Sequence, residues 1–173
     1  MKQLILGGAR SGKSSLAERL ATERGQEVVY IATATGDDEE MVQRIRQHQQ
    51  RRPPGWKLVE SPLTLSAELE KNAADSRCVL VDCLTLWLSN WLMLDDMPRY
   101  EEEKTRLLIL LPQLPGDIIL VSNETGMGVV PMGELTRRFV DEAGWMHQAL
   151  ARCCDRVILT VAGLPQVLKG PNL

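Results

Sequence analysis

The sequence has little excess charge and few cysteine and histidine side chains, and it shows no zinc-binding pattern. Its 173 residues include 20 Lys and Arg against 23 Asp and Glu, a net charge of -3. The chain therefore offers no broad basic surface, and a nucleic-acid partner is not expected. The four cysteines have no Cys-x-x-Cys spacing and there are only two histidines, so reduced thiols are expected rather than a zinc site.

A long uninterrupted apolar run is also missing. The most apolar stretch, Leu107 to Val121, contains two prolines, a glutamine and an aspartate, so no stable membrane insertion is expected. The first predicted strand begins within a few residues of Met1, which leaves no room for a signal peptide. We expect a soluble, cytoplasmic protein, and its length predicts a single domain over residues 1–173.

Short apolar runs alternate with segments of helical period along the whole chain. The runs lack the polar alternation of a half-exposed sheet, so they predict strands covered on both sides. They are Leu4–Leu6, Val28–Ala32, Cys78–Val81, Ile118–Val121 and Val157–Val161. The helical segments are about Ser14–Arg24, Asp37–Arg51, Leu63–Ala74, Tyr100–Leu111 and Gly133–Arg152. This order predicts an α/β fold with a three-layer, doubly wound, mostly parallel sheet.

In such sheets, ligands bind beyond the carboxyl ends of the strands. The segments that follow the predicted strands are therefore candidates for a binding site: Gly7–Ser14, Thr33–Gly36, Asp82–Thr85, Asn123–Gly128 and the residues from Gly163 onward. The Asn123–Gly128 segment is rich in glycine and polar groups, and its spacing does not distinguish a substrate loop from a flexible turn. Trp87, Trp91 and Trp145 lie on predicted helical faces, where core or subunit contacts are expected rather than a base-stacking platform.

The first of these segments has the pattern of a phosphate-binding loop of the P-loop NTPase type. The segment reads Gly, four free positions, Gly, Lys and Ser, and it lies between a predicted strand and a predicted helix. A simple glycine-rich turn would not require this pattern. Backbone N–H groups would wrap a nucleotide phosphate, Lys13 would reach the β- and γ-phosphates, and Ser14 would bind Mg²⁺. The predicted nucleotide-binding residues here are Gly7, Gly8, Ala9, Arg10, Ser11, Gly12, Lys13 and Ser14.

Two further positions fit a nucleotide site. Asp82 ends an apolar run, as does the acidic residue that helps hold Mg²⁺ at the tip of a neighbouring strand in many P-loop proteins. A helix-capping aspartate is the alternative, but the upstream phosphate loop favours the metal ligand. Arg44, His48 and Arg52 are spaced i, i+4, i+8, so one helix face would carry an imidazole between two guanidinium groups. Such a face suits a polyphosphate, although a surface helix matched to its dipole has the same pattern.

Several motifs together, in order, resemble the bifunctional adenosylcobinamide kinase / adenosylcobinamide-phosphate guanylyltransferase family, over nearly the whole chain. The phosphate loop is shared widely, whereas the helix Ile-x-x-His and the Asn-Glu loop are more specific. The motifs are Gly7–Ser14, Tyr30–Ala34, Arg44-Ile45-x-x-His48 with Arg52-Pro53, Trp56 with Glu60, Val81–Thr85 with Trp87, and Ser122–Glu124 with Gly126–Gly128 and Val130-Pro131.

The resemblance implies an enzyme of cobalamin biosynthesis with two reactions. It phosphorylates adenosylcobinamide with ATP or GTP, then transfers GMP from GTP to that phosphate, which gives adenosylcobinamide-GDP and pyrophosphate. His48 would be the nucleophile that carries GMP, Lys13 would act in both steps, and Mg²⁺ would assist. The position before His48 is Gln47, where some members have a second histidine, and His147 lies about a hundred residues away. Other residues that the resemblance places at the GTP site are Ala32, Thr33, Ala34, Gln49, Gln50, Arg51, Arg52, Glu60 and Asp82.

The resemblance also implies a homo-oligomer, a trimer. Two other interpretations remain open at this point: a P-loop small-molecule kinase without guanylyltransferase activity, and a non-enzymatic GTP-binding regulator. The sequence does not indicate the preferred phosphate donor, the corrinoid-binding residues or whether both activities are retained.

Overall fold

The computed structural model describes residues 1–23, 25–35, 53 and 55–173. These residues form one sheet, with helices packed on it. The strands are β1 (Lys2–Gly7), β2 (Glu27–Ala32), β3 (Lys57–Glu60), β4 (Arg77–Asp82), β5 (Asp117–Asn123), β6 (Arg156–Val161) and β7 (Leu164–Lys169). The helices are α1 (Lys13–Glu23), α2 (Leu65–Asn72), α3 (Leu84–Leu94), α4 (Met97–Leu110) and α5 (Glu134–Cys153), and a 3-10 turn (Leu111–Gln113) follows α4.

The strand order is β3-β2-β4-β5-β1-β6-β7, and every pairing is parallel except that of β7 with β6. Two separate apolar clusters lie on the two faces of the sheet. Helix α1 covers one face with Leu16 and Leu20, whereas α2 to α5 cover the other. The predicted three-layer, doubly wound, mostly parallel α/β fold is therefore confirmed.

Alternation along the strands explains why both faces are covered. In β1, Leu4 and Leu6 belong to the cluster under α2 to α5, while Ile5 belongs to the cluster under α1. Successive side chains of a strand point to opposite faces, so a run without polar residues needs a helix layer on each side. This is the reason that the uninterrupted apolar runs in the sequence predict parallel strands.

Three elements are absent from the strands and helices predicted above, although a helical face was expected at Trp87 and Trp91. Strand β3 has four residues and is mostly exposed, so it lacks the apolar content of a strand signal. Helix α3 is apolar except for Thr85, Ser89 and Asn90, and it has no charged face to reveal a helical period. Strand β7 contains Pro165 and is mostly exposed, which is typical of an edge strand. The predicted helix Asp37–Arg51 lies outside the described residues.

Boundaries of the predicted elements moved by up to three residues. Helix α4 begins at Met97, three residues before the expected Tyr100, because the Asp96 side chain caps it by accepting a hydrogen bond from the Arg99 N–H at 3.3 Å. Strand β5 continues to Asn123, so this residue ends a strand instead of beginning a loop.

The three tryptophans on helices separate into two groups. Trp87 and Trp91 are buried in the core, as expected, while Trp145 on α5 is 58% exposed. Among the residues that the structure describes, no helix combines the length and the apolar character needed to cross a membrane.

Candidate active site

The phosphate loop connects β1 to α1 in a tight turn. The Ser11 N–H donates to the Gly8 carbonyl at 3.2 Å, and the Leu16 N–H donates to the Gly12 carbonyl at 3.0 Å as the helix begins. Arg10 and Gly12 both have positive φ angles, 57° and 93°. Residues of this conformation turn successive N–H groups toward one concave side, which is the arrangement that binds an anion.

Lys13 is the first residue of α1, and the residue is only 9% exposed. The ammonium donates to the Gly8 carbonyl at 3.1 Å, so it lies across the loop instead of extending into solvent. A positive charge at the helix N-terminus and over the loop is suited to phosphate oxygens.

The turn between β6 and β7 supports the loop from behind. Gly163 donates its N–H to the Ser11 carbonyl at 2.9 Å, and a Cβ on Gly12 would lie 3.1 Å from the Gly163 Cα. Ala162 and Gly163 have φ angles of 51° and 79°, as in a two-residue hairpin turn. The sequence predicts that the residues from Gly163 onward are candidates for a binding site, and in the structure Gly163 contacts the phosphate loop.

The register of the sheet places several candidate residues in one row. Ile5 is opposite Val121, Val121 is opposite Asp82, Asp82 is opposite Ala32, and Ala32 is opposite Glu60. With neighbouring strands about 4.8 Å apart, Asp82 lies about 10 Å along the row from β1 and Glu60 about 19 Å. Strand β5 therefore lies between β1 and the strand that carries Asp82. Glu60 is at the far end of the row, too distant from β1 to share a phosphate with Lys13.

The segments that follow β2 and β4 are tied together. The Thr33 hydroxyl donates to the Cys83 carbonyl at 2.6 Å and accepts from the Cys83 N–H at 3.1 Å. Asn90 of α3 donates to the Thr33 carbonyl at 2.8 Å. The Thr33 hydroxyl thus already has a hydrogen-bond donor and an acceptor within the protein. A ligand contact in this segment would therefore come from the backbone or from Ala32 and Ala34.

Burial raises the pKa of the Cys83 thiol to about 11; the charge of Asp82 adds to the rise, and the charge of Lys13 opposes it. The thiol therefore stays protonated at neutral pH and is not a nucleophile.

Sequence reasoning missed a buried polar network beside the loop. His147 of α5 lies 2.8 Å through Nε2 from the Ser122 hydroxyl, which is 3.3 Å from the Thr85 hydroxyl, and Thr85 accepts the Asn123 N–H at 2.7 Å. Burial lowers the pKa of His147, although the nearby Glu124 carboxylate opposes this, so the imidazole is neutral at pH 7. The 3.8 Å approach of its Nδ1 to Glu124 is therefore a polar contact and not an ion pair.

This network bears on the assignment of the nucleophile. His147 is 7% exposed and its Nε2 is bonded to Ser122, so it is not available to attack a nucleotide. The predicted nucleophile His48 lies outside the described residues, as do Arg44 and the predicted GTP-site residues Gln49, Gln50, Arg51 and Arg52. Their roles stay predictions.

A family profile described as cobinamide kinase / cobinamide phosphate guanyltransferase matches residues 3–168. The chain belongs to this family. The match includes the phosphate loop, the whole row of strand ends and the β6–β7 turn, so the family identity and the geometry concern the same part of the molecule.

Relatives of known description agree with the family. The bifunctional adenosylcobalamin biosynthesis protein CobP of Pseudomonas aeruginosa is 62% identical over 173 residues, which is the full length of both chains. The bifunctional adenosylcobalamin biosynthesis proteins CobU of Salmonella typhimurium and Escherichia coli are each 37% identical, over 98% of this chain and all of theirs. Among solved structures, the RadB recombinase matches at 17% identity with a TM-score of 0.46, over 91% of this chain and 73% of that one.

Proposed function

We propose that the protein phosphorylates adenosylcobinamide and then transfers GMP from GTP to the resulting phosphate, as an enzyme of cobalamin biosynthesis. The observation that carries this proposal is a complete phosphate loop, with Lys13 lying across it, in a chain of the cobinamide kinase / cobinamide phosphate guanyltransferase family. ATP and GTP are its nucleotide substrates. The products are adenosylcobinamide-GDP and pyrophosphate.

In the kinase step, the hydroxyl oxygen of the aminopropanol arm attacks the γ-phosphorus, and the bond to the β-phosphate oxygen breaks. Phosphoryl transfer requires mainly positioning and stabilisation of charge on the phosphate oxygens. The loop N–H groups of Gly7–Ser14, the Lys13 ammonium and the positive end of α1 supply donors for that charge. The nucleoside diphosphate then leaves.

The residues present fit a magnesium ion. Ser14 lies in the first turn of α1 and Asp82 ends β4, and hydroxyl and carboxylate oxygens are the ligands that Mg²⁺ prefers. Among the described residues, no side chain forms an ion pair with Asp82 that would occupy its carboxylate. Ser14 and Asp82 would hold the ion, which would neutralise charge on the β- and γ-phosphates.

In the second reaction, the His48 imidazole attacks the α-phosphorus of GTP, a P–N bond forms and pyrophosphate leaves. A phosphate oxygen of adenosylcobinamide phosphate then attacks the same phosphorus, and the P–N bond breaks. This assignment of His48 is supported by its spacing between Arg44 and Arg52 and by the buried, bonded state of His147. The proposed GTP site also includes Ala32, Thr33 and Ala34 after β2, Gln49–Arg52, and Glu60 at the end of β3.

Two labelled forms of GTP test both reactions. With γ-labelled GTP and adenosylcobinamide, we expect labelled adenosylcobinamide phosphate. With α-labelled GTP, we expect a GMP adduct on the protein that is acid-labile and alkali-stable, as a phosphoramidate is. The adduct should disappear in His48→Ala and persist in the matched control His147→Gln. An adduct that persists in His48→Ala would refute the assignment of the nucleophile.

The same assay separates the alternative functions. A protein that makes adenosylcobinamide phosphate but never retains α-label would be a kinase alone. A protein that binds GTP without turnover would be a regulator. Both outcomes would contradict the proposed pair of reactions.

We also propose a single domain over residues 1–173, a homotrimer and a cytoplasmic location, where ATP and GTP are available. The continuous sheet supports the single domain. Exposed apolar side chains in the loop before α5, including Met127, Val129 and Met132, give a surface that a subunit contact would cover. Sedimentation at several concentrations tests the trimer, for which the expected mass is about three times the 19.3 kDa of the chain.

A further inference from the structure

A carboxylate of no assigned role lies beside the phosphate loop. Glu124 directly follows the last residue of β5, and its N–H donates to the carbonyl of Gly7, the first residue of the loop, at 3.0 Å. Strand β5 is the neighbour of β1 in the sheet. Glu124 is therefore fixed to the loop by its backbone, on the side that faces β4 and Asp82.

Both oxygens of this carboxylate have a contact. Oε1 accepts a hydrogen bond from the Gly126 N–H at 2.6 Å, and Oε2 lies 3.8 Å from His147 Nδ1. The Glu124 side chain is 21% exposed, whereas that of His147 is 8% exposed. The carboxylate thus lies next to a buried hydrogen-bonded network that contains His147 and Ser122, and it is in polar contact with His147 without a hydrogen bond to it. Buried networks of this kind hold their members in one geometry, because an unpaired member is costly.

The chemistry of the kinase step calls for a proton acceptor near the loop. Three carboxylates end or directly follow parallel strands in the described residues: Glu60, Asp82 and Glu124. Glu60 is four strands from β1, and Asp82 is suited to the metal ion. The residue after Asp82 is a cysteine, which supplies no carboxylate. Glu124 is the carboxylate that follows the strand adjacent to β1.

We propose that Glu124 is the catalytic residue that accepts the proton of the corrinoid hydroxyl in the kinase step, and that His147 is a positioning residue for it. As the hydroxyl oxygen bonds to the γ-phosphorus, its proton passes to the Glu124 carboxylate. The bond between the γ-phosphorus and the β-phosphate oxygen breaks, the nucleoside diphosphate leaves, and Glu124 later releases the proton to solvent. This inference rests on the proposed function.

The second reaction does not need this proton acceptor. Its acceptor is a phosphate monoester, whose second pKa is about 6, so its attacking oxygen is already deprotonated at neutral pH. Removal of the Glu124 carboxylate should therefore slow the first reaction and spare the second. A merely structural role for Glu124 would affect both reactions together.

The test compares Glu124→Gln with the wild type in both reactions. We expect the kinase kcat with adenosylcobinamide and γ-labelled GTP to fall about 10²- to 10⁴-fold, with little change in KM. GMP transfer from α-labelled GTP to adenosylcobinamide phosphate should be retained, which also shows that the variant is folded. Glu134→Gln, at the exposed start of α5, is the matched control and should keep both activities.

Two histidine variants test the positioning role. In His147→Gln, the amide group replaces the imidazole Nε2 near Ser122, and no polar group remains in the place of Nδ1. In His147→Asn, the amide group replaces Nδ1, which faces Glu124. We expect the kinase kcat to fall more in the glutamine variant than in the asparagine variant, with GMP transfer retained. In the Glu124→Gln background, His147→Gln should cause no further loss, since residues that act as a unit are not additive.

Three outcomes would overturn the inference. They are normal kinase turnover in Glu124→Gln, equal loss of both reactions in that variant, and a further loss when His147→Gln is added to it. If the wild-type protein fails to phosphorylate adenosylcobinamide, the proposed function itself fails, and this is distinguishable because it appears before any variant is compared.

Discussion

Gly7 is the position where the geometry of the phosphate loop makes the sharpest prediction. A Cβ at this residue would lie 2.4 Å from the Ser11 Oγ and 2.6 Å from the Thr160 carbonyl oxygen. Thr160 is paired with Gly7 in the β1–β6 register, so its carbonyl cannot retreat without disturbing the sheet. Ser11 is buried inside the loop. Gly7→Ala therefore forces either the loop or the strand to move.

The expected cost follows from this overpacking. Extra atoms in a well-packed site cost about 1–3 kcal/mol. In a protein of this length, such a loss lowers the melting temperature by about 2–12 °C. The neighbouring Gly8→Ala is the matched control, because no atom lies within 4 Å of the added Cβ there. Its free energy of unfolding should stay within about 0.5 kcal/mol of the wild type.

Urea unfolding without nucleotide, followed by circular dichroism, measures both variants. Adding Ser11→Ala removes the nearer of the two contacts, so the double variant Gly7→Ala/Ser11→Ala should recover part of the lost stability. The coupling free energy between the two substitutions should be favourable. The reasoning is refuted if Gly7→Ala is as stable as the wild type, or if Gly8→Ala is destabilised as much as Gly7→Ala.

Three further predictions concern the rest of the fold. Gly116→Ala should abolish or strongly reduce folded protein, since the added Cβ would lie 2.1 and 2.7 Å from two carbonyl oxygens. Gly25 has a similar φ and open space around the added Cβ, so Gly25→Ala should cost only about 1–2 kcal/mol in thermal unfolding. Trp87→Ala should lose about 3–5 kcal/mol in urea unfolding because the ring is fully buried, and Trp145→Ala should lose far less. Burial lowers the pKa of His147 below its usual 6.5, so the unfolded chain binds that proton more tightly than the folded protein does. The free energy of unfolding should therefore fall as the pH drops below 6.5. Unfolding measured at several pH values should show a smaller fall in His147→Gln.

The sequence predicts the centre of this fold well because the central strands carry their own signal. β1, β2, β4, β5 and β6 are apolar on both faces, and such runs have few other places in a folded protein. The edge strands β3 and β7 carry no comparable signal, since one is short and the other is mostly exposed and contains Pro165. Helix α3 is hard to predict for the opposite reason, because it is largely apolar and has no charged residue.

In the candidate site, the phosphate loop can be predicted from the sequence, whereas the polar contacts between residues far apart in the chain cannot. The phosphate loop is readable from eight consecutive residues, and the structure places it between β1 and α1 as predicted. The contacts of His147 with Ser122 and of Ser122 with Thr85 join residues that are 25 and 37 positions apart. Nothing in their spacing indicates that a strand end and the two helices beside it bring these groups together.

The position of β1 in the sheet also determines when the protein can become active during its synthesis. Because β1 pairs with β5 and β6, Gly7 meets Asn123 and Thr160 only after both of those strands have been synthesised, long after the phosphate loop itself. Such non-local pairings form late because long stretches of chain must first be ordered. Nucleotide binding by the nascent chain would thus report that β5 and β6 have joined β1 in the sheet.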